Sequence, residues 1–245
     1  MGHRMALSGH ARDGIPPRSQ VFRPGRRFVR AVIRAAATCL LLMLLAGCAV
    51  KPHPQAKQLF NGSDLSGWKG LVGNPVTRAK MTPEELAQAH VAADASMREH
   101  WSAEDGVLVF DGKGDNLVTE RDFEDFELWV DWKIEPRGDS GIYLRGTPQV
   151  QIWDNKIGSG GLYNNKRSVK KPLVVADRPV GEWNNFHILM EGEIVTVWLN
   201  GELVVDGVKL ENYWDRSIPI FPSGPIELQN HGNSLYFRNI WIRER

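Results

Sequence analysis

Asp139-Ser140-Gly141-Ile142-Tyr143-Leu144-Arg145-Gly146-Thr147-Pro148-Gln149-Val150-Gln151-Ile152-Trp153-Asp154 reads as a β-hairpin. Ile142 and Leu144 alternate with Tyr143 and Arg145. Gly146-Thr147-Pro148 has the composition of a turn, and Val150 and Ile152 alternate with Gln149, Gln151 and Trp153. Side chains two apart in a strand share a face. One face of this hairpin is therefore aliphatic and packs inward. The other carries a phenol, a guanidinium, two amides and an indole. That mixture suits a sugar, with flat rings for its C–H faces and planar donors and acceptors for its hydroxyls. The competing reading is a structural sheet with an ordinary polar outside.

The strands around the hairpin repeat the pattern. Phe126, Leu128, Val130, Trp132 and Ile134 alternate with Glu127, Trp129, Asp131, Lys133 and Glu135. Short strands are expected at 106–110, 116–119, 186–190, 225–229 and 235–242. Val195 to Val205 across Asn200-Gly201 is a second hairpin, because Asn-Gly suits the tight turn that matches strand twist. Thr82-Pro83-Glu84-Glu85 is a capping box with Pro at the first helical position, opening one helix to about Met97. Many short strands with turns every 8–12 residues predict an all-β, two-sheet antiparallel sandwich with one short helical insertion. The irregular stretch from Asn155 to Glu182 is long enough to suggest a functional loop. If the later strands adjoin the first hairpin, one sheet face collects Tyr143, Arg145, Gln149, Gln151, Trp153, Trp198, Glu227, Gln229 and His231.

The chain has 245 residues and a formal net charge of +1. That charge is unevenly spread. Residues 1–48 hold eight Arg and one Asp, so the rest carries 22 basic and 28 acidic side chains, or −6. A mildly acidic domain without a basic run argues against nucleic acid as a partner. Arg26, Arg27, Arg30 and Arg34 precede a short apolar run from Ala35 to Ala46, the layout of an export signal. Leu45-Ala46-Gly47-Cys48 resembles the bacterial lipobox, so Cys48 is the expected lipidation site. The expected organisation is a lipoprotein signal peptide at 1–48, a tether at 49–57 and one β-sandwich catalytic domain at 58–245. The expected location is the cell envelope, lipid-anchored, at the periplasmic face or outer membrane. Cys39 lies within the apolar run, so the mature protein would have no disulfide.

Seven motifs occur in order: Leu59-Phe60-Asn61-Gly62 with Leu65-Ser66-Gly67-Trp68; Asp139 to Arg145; Val150 to Asp154; Gly181-Glu182-Trp183-Asn184; Leu199-Asn200-Gly201; Ile226-Glu227-Leu228-Gln229 with His231-Gly232; and Phe237-Arg238-Asn239-Ile240. Together they resemble the 3-keto-disaccharide hydrolase family, whose members are also described as 3-keto-glucoside 1,2-lyases and 3-keto-2-hydroxy-glucal hydratases. The resemblance spans about residues 58–245. It implies a concanavalin-like jelly-roll sandwich with its site on the concave sheet. Many members of the family are similar in being exported lipoproteins.

The implied chemistry sets out what the site must hold. A ketone at C3 acidifies the C2 hydrogen, and the enolate left by its removal can expel the substituent on C1. Water then adds back, giving net hydrolysis. Such a site needs a base at C2, donors at the C3 oxygen and an acid at the leaving oxygen. It requires no nucleophile and no redox cofactor; a divalent metal, calcium or another, at the keto oxygen is compatible with it. His231 is the candidate base or acid, since imidazole changes charge near neutral pH. Glu227, two strand positions back on the same face, is its candidate partner, or else an ion pair with Arg238. Arg145 is the candidate oxyanion donor, or else a structural partner of Asp139 or Asp154. Tyr143, Gln149, Gln151, Trp153, Asp154, Trp198 and Gln229 are the candidate substrate contacts, with Asp154 also suited to an alternative base, a Ca²⁺ ligand or an Asx-turn. Asp111-Gly112-Lys113-Gly114-Asp115 is similar to part of a calcium loop but lacks its later acidic ligands.

Two other function classes fit the same fold. A retaining glucanase needs two carboxylates on one strand face, and the nearest stretch, Glu120 to Asp125, has Asp125 in place of the final Glu. A non-catalytic sugar-binding module needs aromatics and amides but no acid–base pair.

Overall fold

The computed structural model describes residues 52–245. The expected export signal at 1–48 and the expected lipidation site Cys48 lie outside these residues. Thirteen strands and two helices are present among them. The first three strands are β1 (Lys57–Gln58), β2 (Trp68–Gly70) and, after the helices, β3 (Trp101–Glu104). They are followed by β4 (Val107–Phe110), β5 (Leu117–Thr119), β6 (Phe126–Ile134), β7 (Asp139–Leu144) and β8 (Thr147–Trp153). The C-terminal part supplies β9 (Asn184–Glu191), β10 (Ile194–Leu199), β11 (Glu202–Lys209), β12 (Glu227–Leu228) and β13 (Leu235–Glu244).

These strands form two antiparallel sheets. An eight-stranded sheet runs β11-β10-β9-β6-β13-β4-β3, with β1 added on β13, and a five-stranded sheet runs β2-β5-β12-β7-β8. The alternation read in the sequence decides what lies between them. Phe126, Leu128, Val130 and Trp132 of β6 are at most 1% exposed, as are Ile142, Leu144, Val150 and Ile152 of the hairpin. Each fully buried side chain of this size contributes roughly 1.5–3 kcal/mol.

The Asn200-Gly201 turn forms as expected, with φ of 54° and 89°. The turn of the first hairpin differs from expectation. Its two central residues are Arg145 and Gly146, with φ of 54° and 68°, the positive values a type I′ turn requires. Thr147 and Pro148 already belong to β8. A register shift between Ile142 and Leu144 marks a β-bulge that sets Pro148 and Gln149 against Tyr143. Proline is tolerated there because a bulge interrupts the ladder.

The predicted helix is α2, Pro83–His100, capped by Thr82 and Glu85 as the sequence indicated. A one-turn helix, α1 (Pro75–Arg78), precedes it, with Asn74 as its cap. Asp94 of α2 accepts a hydrogen bond from the Gly70 N–H at 2.9 Å. The helix lies directly on β2, since a Cβ on Gly70 would stand 2.1 Å from the Ala93 carbonyl oxygen. Only glycine permits this approach, which holds the insertion beside the open face of the small sheet.

Candidate active site

The row of side chains across that open face follows from strand register. Lys69 of β2 pairs with Val118 of β5, Val118 with Glu227 of β12, and Glu227 with Tyr143 of β7. Beyond Tyr143 the bulged strand β8 offers Pro148 and Gln149. At this end lies a cleft of about 370 Å³ that includes Asp139, Tyr143, Gln149, Gln151, Gln229 and His231. Four aromatics line it as well: Trp153, Tyr163, Tyr213 and Trp214.

Its polar groups form a directed chain. Gln149 Nε2 donates to Gln151 Oε1 at 2.7 Å, and Gln151 Nε2 donates to Asp139 Oδ1 at 2.7 Å. The other Asp139 oxygen stands 4.0 Å from His231 Nδ1. Both glutamines are almost fully buried, whereas the His231 side chain is 57% exposed at the mouth. Gly141 makes room for this layout: a Cβ there would stand 2.8 Å from Gln149 Cδ. Asp139 is thus fixed by a buried amide on one side and faces the only imidazole in the cleft lining on the other. At 4.0 Å the two are beyond hydrogen-bond reach, so Asp139 acts on the ring through its charge alone.

Tyr143 is the second polar focus. Gln229 Nε2 donates to its hydroxyl oxygen at 3.2 Å, leaving the phenolic proton free to donate into the cleft. Burial, and next the nearby Glu227 carboxyl, push its pKa up, so it remains a donor. The aromatic walls are held by their own bonds. Trp153 Nε1 donates to Gly158 O at 2.7 Å, and Trp153 meets Tyr163 edge-on at 4.7 Å. Trp214 Nε1 donates to Gly146 O at 2.8 Å, with Tyr213 edge-on to it at 5.0 Å.

Glu227 is 3% exposed. Its Oε1 accepts from Asn116 Nδ2, and Asn116 Oδ1 in turn accepts from the Asn230 N–H at 2.7 Å. Burial raises its pKa to about 7, opposed by the Asn116 bond and the charge of Arg78. Its expected alternative partner, Arg238, is on the other sheet, 3.4 Å from Asp131 and stacked over Trp183 at 4.0 Å.

Three expected site residues lie elsewhere. Arg145 is part of the turn rather than of β7, so its side chain leaves the open face. It is 3% exposed and donates to Asp125 Oδ1 and Glu124 O, both at 2.7 Å, and to Phe221 O at 3.3 Å. It fastens the hairpin tip and does not reach the cleft. Trp198 belongs to β10 of the large sheet, where it stacks on His187 at 4.7 Å. Asp154 caps the β6–β7 connection, accepting from the Arg137 N–H at 2.8 Å. It lines a different cavity of about 370 Å³ beyond Trp153, with Asp177 and Arg178. The polar groups there are committed to the loop itself: Asp177 accepts from the Ser159 N–H at 2.9 Å, and Arg178 donates to Trp183 O at 3.2 Å.

Sequence reading also missed residues. The sequence offers Asp139 only as a partner for Arg145, places Tyr163 in a glycine-rich loop and leaves Tyr213-Trp214 between expected strands. The adjacent aromatics of Asn212-Tyr213-Trp214-Asp215 were the available signal. Among the described residues no group of three His, Cys, Asp or Glu side chains converges as a metal site. The cleft offers Asp139 and His231, two ligands, which does not fit a resident metal. In the Asp111–Asp115 loop, Asp111 instead faces His100 at 3.1 Å. The glucanase-like stretch Glu120 to Asp125 lies between β5 and β6, not on one strand face.

Comparison with known proteins agrees with this architecture. The sequence profile of the 3-keto-alpha-glucoside-1,2-lyase-like domain matches residues 55–243. A Bacteroides thetaiotaomicron protein named 3-keto-disaccharide hydrolase is 23% identical, the match covering 76% of this chain and 77% of that one. Two crystal structures from Parabacteroides distasonis, both provisionally described as glycosyl hydrolases, share the fold. One is 28% identical with a TM-score of 0.59, covering 78% of this chain and 84% of the other. The second is 24% identical with a TM-score of 0.58, covering 80% and 99%.

Proposed function

Because the chain belongs to the family of 3-keto-alpha-glucoside-1,2-lyase-like domains, we propose that its cleft cleaves 3-keto-glucosides, 3-keto-disaccharides among them, by elimination and hydration. The observation that carries this reading is the directed chain from Gln149 through Gln151 and Asp139 to His231, with the Tyr143 donor in the same cleft. The imidazole of His231 takes the C2 proton. Asp139, 4.0 Å from the ring, offsets the charge it gains. Negative charge develops on the C3 oxygen, where the Tyr143 O–H donates to it. A phenol whose own ionisation is suppressed stabilises an oxyanion without surrendering its proton. The enolate then re-forms the C3 ketone, a C1=C2 double bond forms and the C1–O bond breaks with its electrons on the departing oxygen, which gains, in net, the proton that the adding water gives up. Water adds at C1 and His231 returns its proton to C2. Trp153, Tyr163, Tyr213 and Trp214 pack on the sugar's C–H faces, and Gln149 and Gln229 bind its hydroxyls.

The experiment is turnover of a 3-keto-glucoside by the purified chain and by His231→Ala. Loss of a general base lowers kcat by about 10²–10⁴-fold. Because the ring is more than half exposed, thermal stability is expected to stay close to wild type. A variant with normal turnover contradicts the assignment.

We further place the enzyme at the cell envelope, anchored by lipid on Cys48 and facing the periplasm or on the outer membrane. The Arg-rich and apolar run ending in Leu45-Ala46-Gly47-Cys48 supports this. Cys48→Ala should move the protein from the membrane to the soluble fraction; an unchanged distribution counts against the anchor.

A further inference from the structure

A third cavity, of about 250 Å³, opens where the helical insertion meets the small sheet. It is lined by Lys69, Arg78, Leu86, His90, Val118 and Asp122, among others. It lies at the other end of the row that leads to Tyr143. Glu227 is the residue between, paired with Val118 of this cavity on one side and with Tyr143 of the cleft on the other. Adjacent strands are about 4.8 Å apart, so Lys69 to Tyr143 spans about 14 Å. That length suits two linked rings with their joining oxygen above β12.

Glu227 itself is incompletely partnered. Its Oε1 accepts from Asn116, and among the described residues no hydrogen bond reaches Oε2. Oε2 is without a hydrogen bond yet is not sealed off from the surface, so the protonated carboxyl meets the open face through this oxygen. We propose that the cavity beneath the helical insertion takes the leaving half of the substrate, and that Glu227 is the catalytic residue that protonates the departing oxygen. This rests on the elimination reading above.

The step balances. His231 takes the proton from C2, the C–H electrons become the C1=C2 bond through the enolate, and the C1–O bond breaks with its electrons on oxygen. The Glu227 O–H supplies the proton to that oxygen. In hydration the resulting Glu227 carboxylate takes a proton from the water that adds at C1, while His231 returns its proton to C2. Both groups end as they began. Burial keeps Glu227 protonated to about pH 7, as an acid at this position requires. Arg78, Lys69, His90 and Asp122 supply the polar contacts for hydroxyls of the leaving ring.

The test compares wild type with Glu227→Gln on two 3-keto-glucosides, one with an alkyl or sugar leaving group and one with 4-nitrophenolate, which departs without a proton. The variant should lose about 100-fold or more in kcat/KM on the first and less than about 5-fold on the second. A second readout uses wild type alone: the high-pH limb near pH 7 should appear with the alkyl substrate and vanish with the nitrophenyl one. Equal losses on both substrates, or the same limb for both, overturn the inference alone. Failure of wild type to turn over either substrate overturns the 3-keto reading itself, and this inference with it.

Discussion

Arg145 and Glu227 illustrate how the same strand alternation gives opposite results at two residues. Both are charged, both occupy outward positions in a simple period-two reading, and both are 3% exposed. Arg145 is satisfied on all sides by Asp125, Glu124 and Phe221, so its loss costs folding rather than turnover. Glu227 remains on the open face with one hydrogen-bond partner. Its raised pKa has a thermodynamic consequence. In the unfolded chain a glutamate releases its proton near pH 4.5, whereas in the fold it holds it to about 7. The folded state therefore binds the extra proton between these values, and stability falls as pH rises through that window. The full difference is roughly 3 kcal/mol. Glu227→Gln mimics the protonated acid at every pH. Its melting temperature relative to wild type should thus rise between pH 4.5 and 8 and level off above. A difference that is flat with pH means that folding leaves the carboxyl's pKa where it is in the unfolded chain.

At the scale of elements, the stretch from Lys166 to Ser168 in the long loop after β8 is latched by one carboxylate. Glu211 accepts from the backbone N–H groups of Lys166, Arg167 and Ser168 at 3.0, 2.7 and 2.6 Å, and from Arg216 at 3.0 Å. Burial alone would raise its pKa, but these backbone bonds outweigh it and hold it at about 2. Its stabilisation is present above pH 4.5 and is lost as pH falls towards 2. Because this loop carries Tyr163 and Asn164 into the cleft, Glu211→Gln should speed tryptic cleavage after Lys166 and Arg167 and raise KM. Unchanged cleavage rates would show that the latch lies elsewhere. The elements also show what the sequence made legible. The hairpins, the capped helix and the inward face of β6 could be read because each depends on neighbours within a few residues. The Arg145-Gly146 turn was misplaced because Gly-Thr-Pro has turn composition, whereas strand twist favours positive φ at both central positions. That shift of one residue removed Arg145 from the site.

For the whole molecule, the two sheets divide their roles. Trp198 was expected in the cleft because alternation assigns a side chain to a face but does not say which sheet its strand joins. In the large sheet it completes a row from Trp241 through Trp129 and His187, paired across four strands. His187 lies between the indoles at 4.8 and 4.7 Å, so the ring faces are used in packing. The small sheet, short-stranded and partly roofed by the helical insertion, is left to carry the polar row. Cleft residues thus come from four distant segments, 139–153, 163–164, 213–214 and 229–231. Only the first and last announced themselves as strand faces, since long-range convergence is a property of topology. Removal of the C2 proton is the first and defining step of the proposed reaction. The most direct measurement is cleavage of 3-keto-trehalose and of trehalose in D₂O, with the released sugar analysed at C2 by NMR. Cleavage of the oxidised sugar alone, with deuterium at C2, is the predicted result. Cleavage of both sugars with the original C2 hydrogen retained would contradict it.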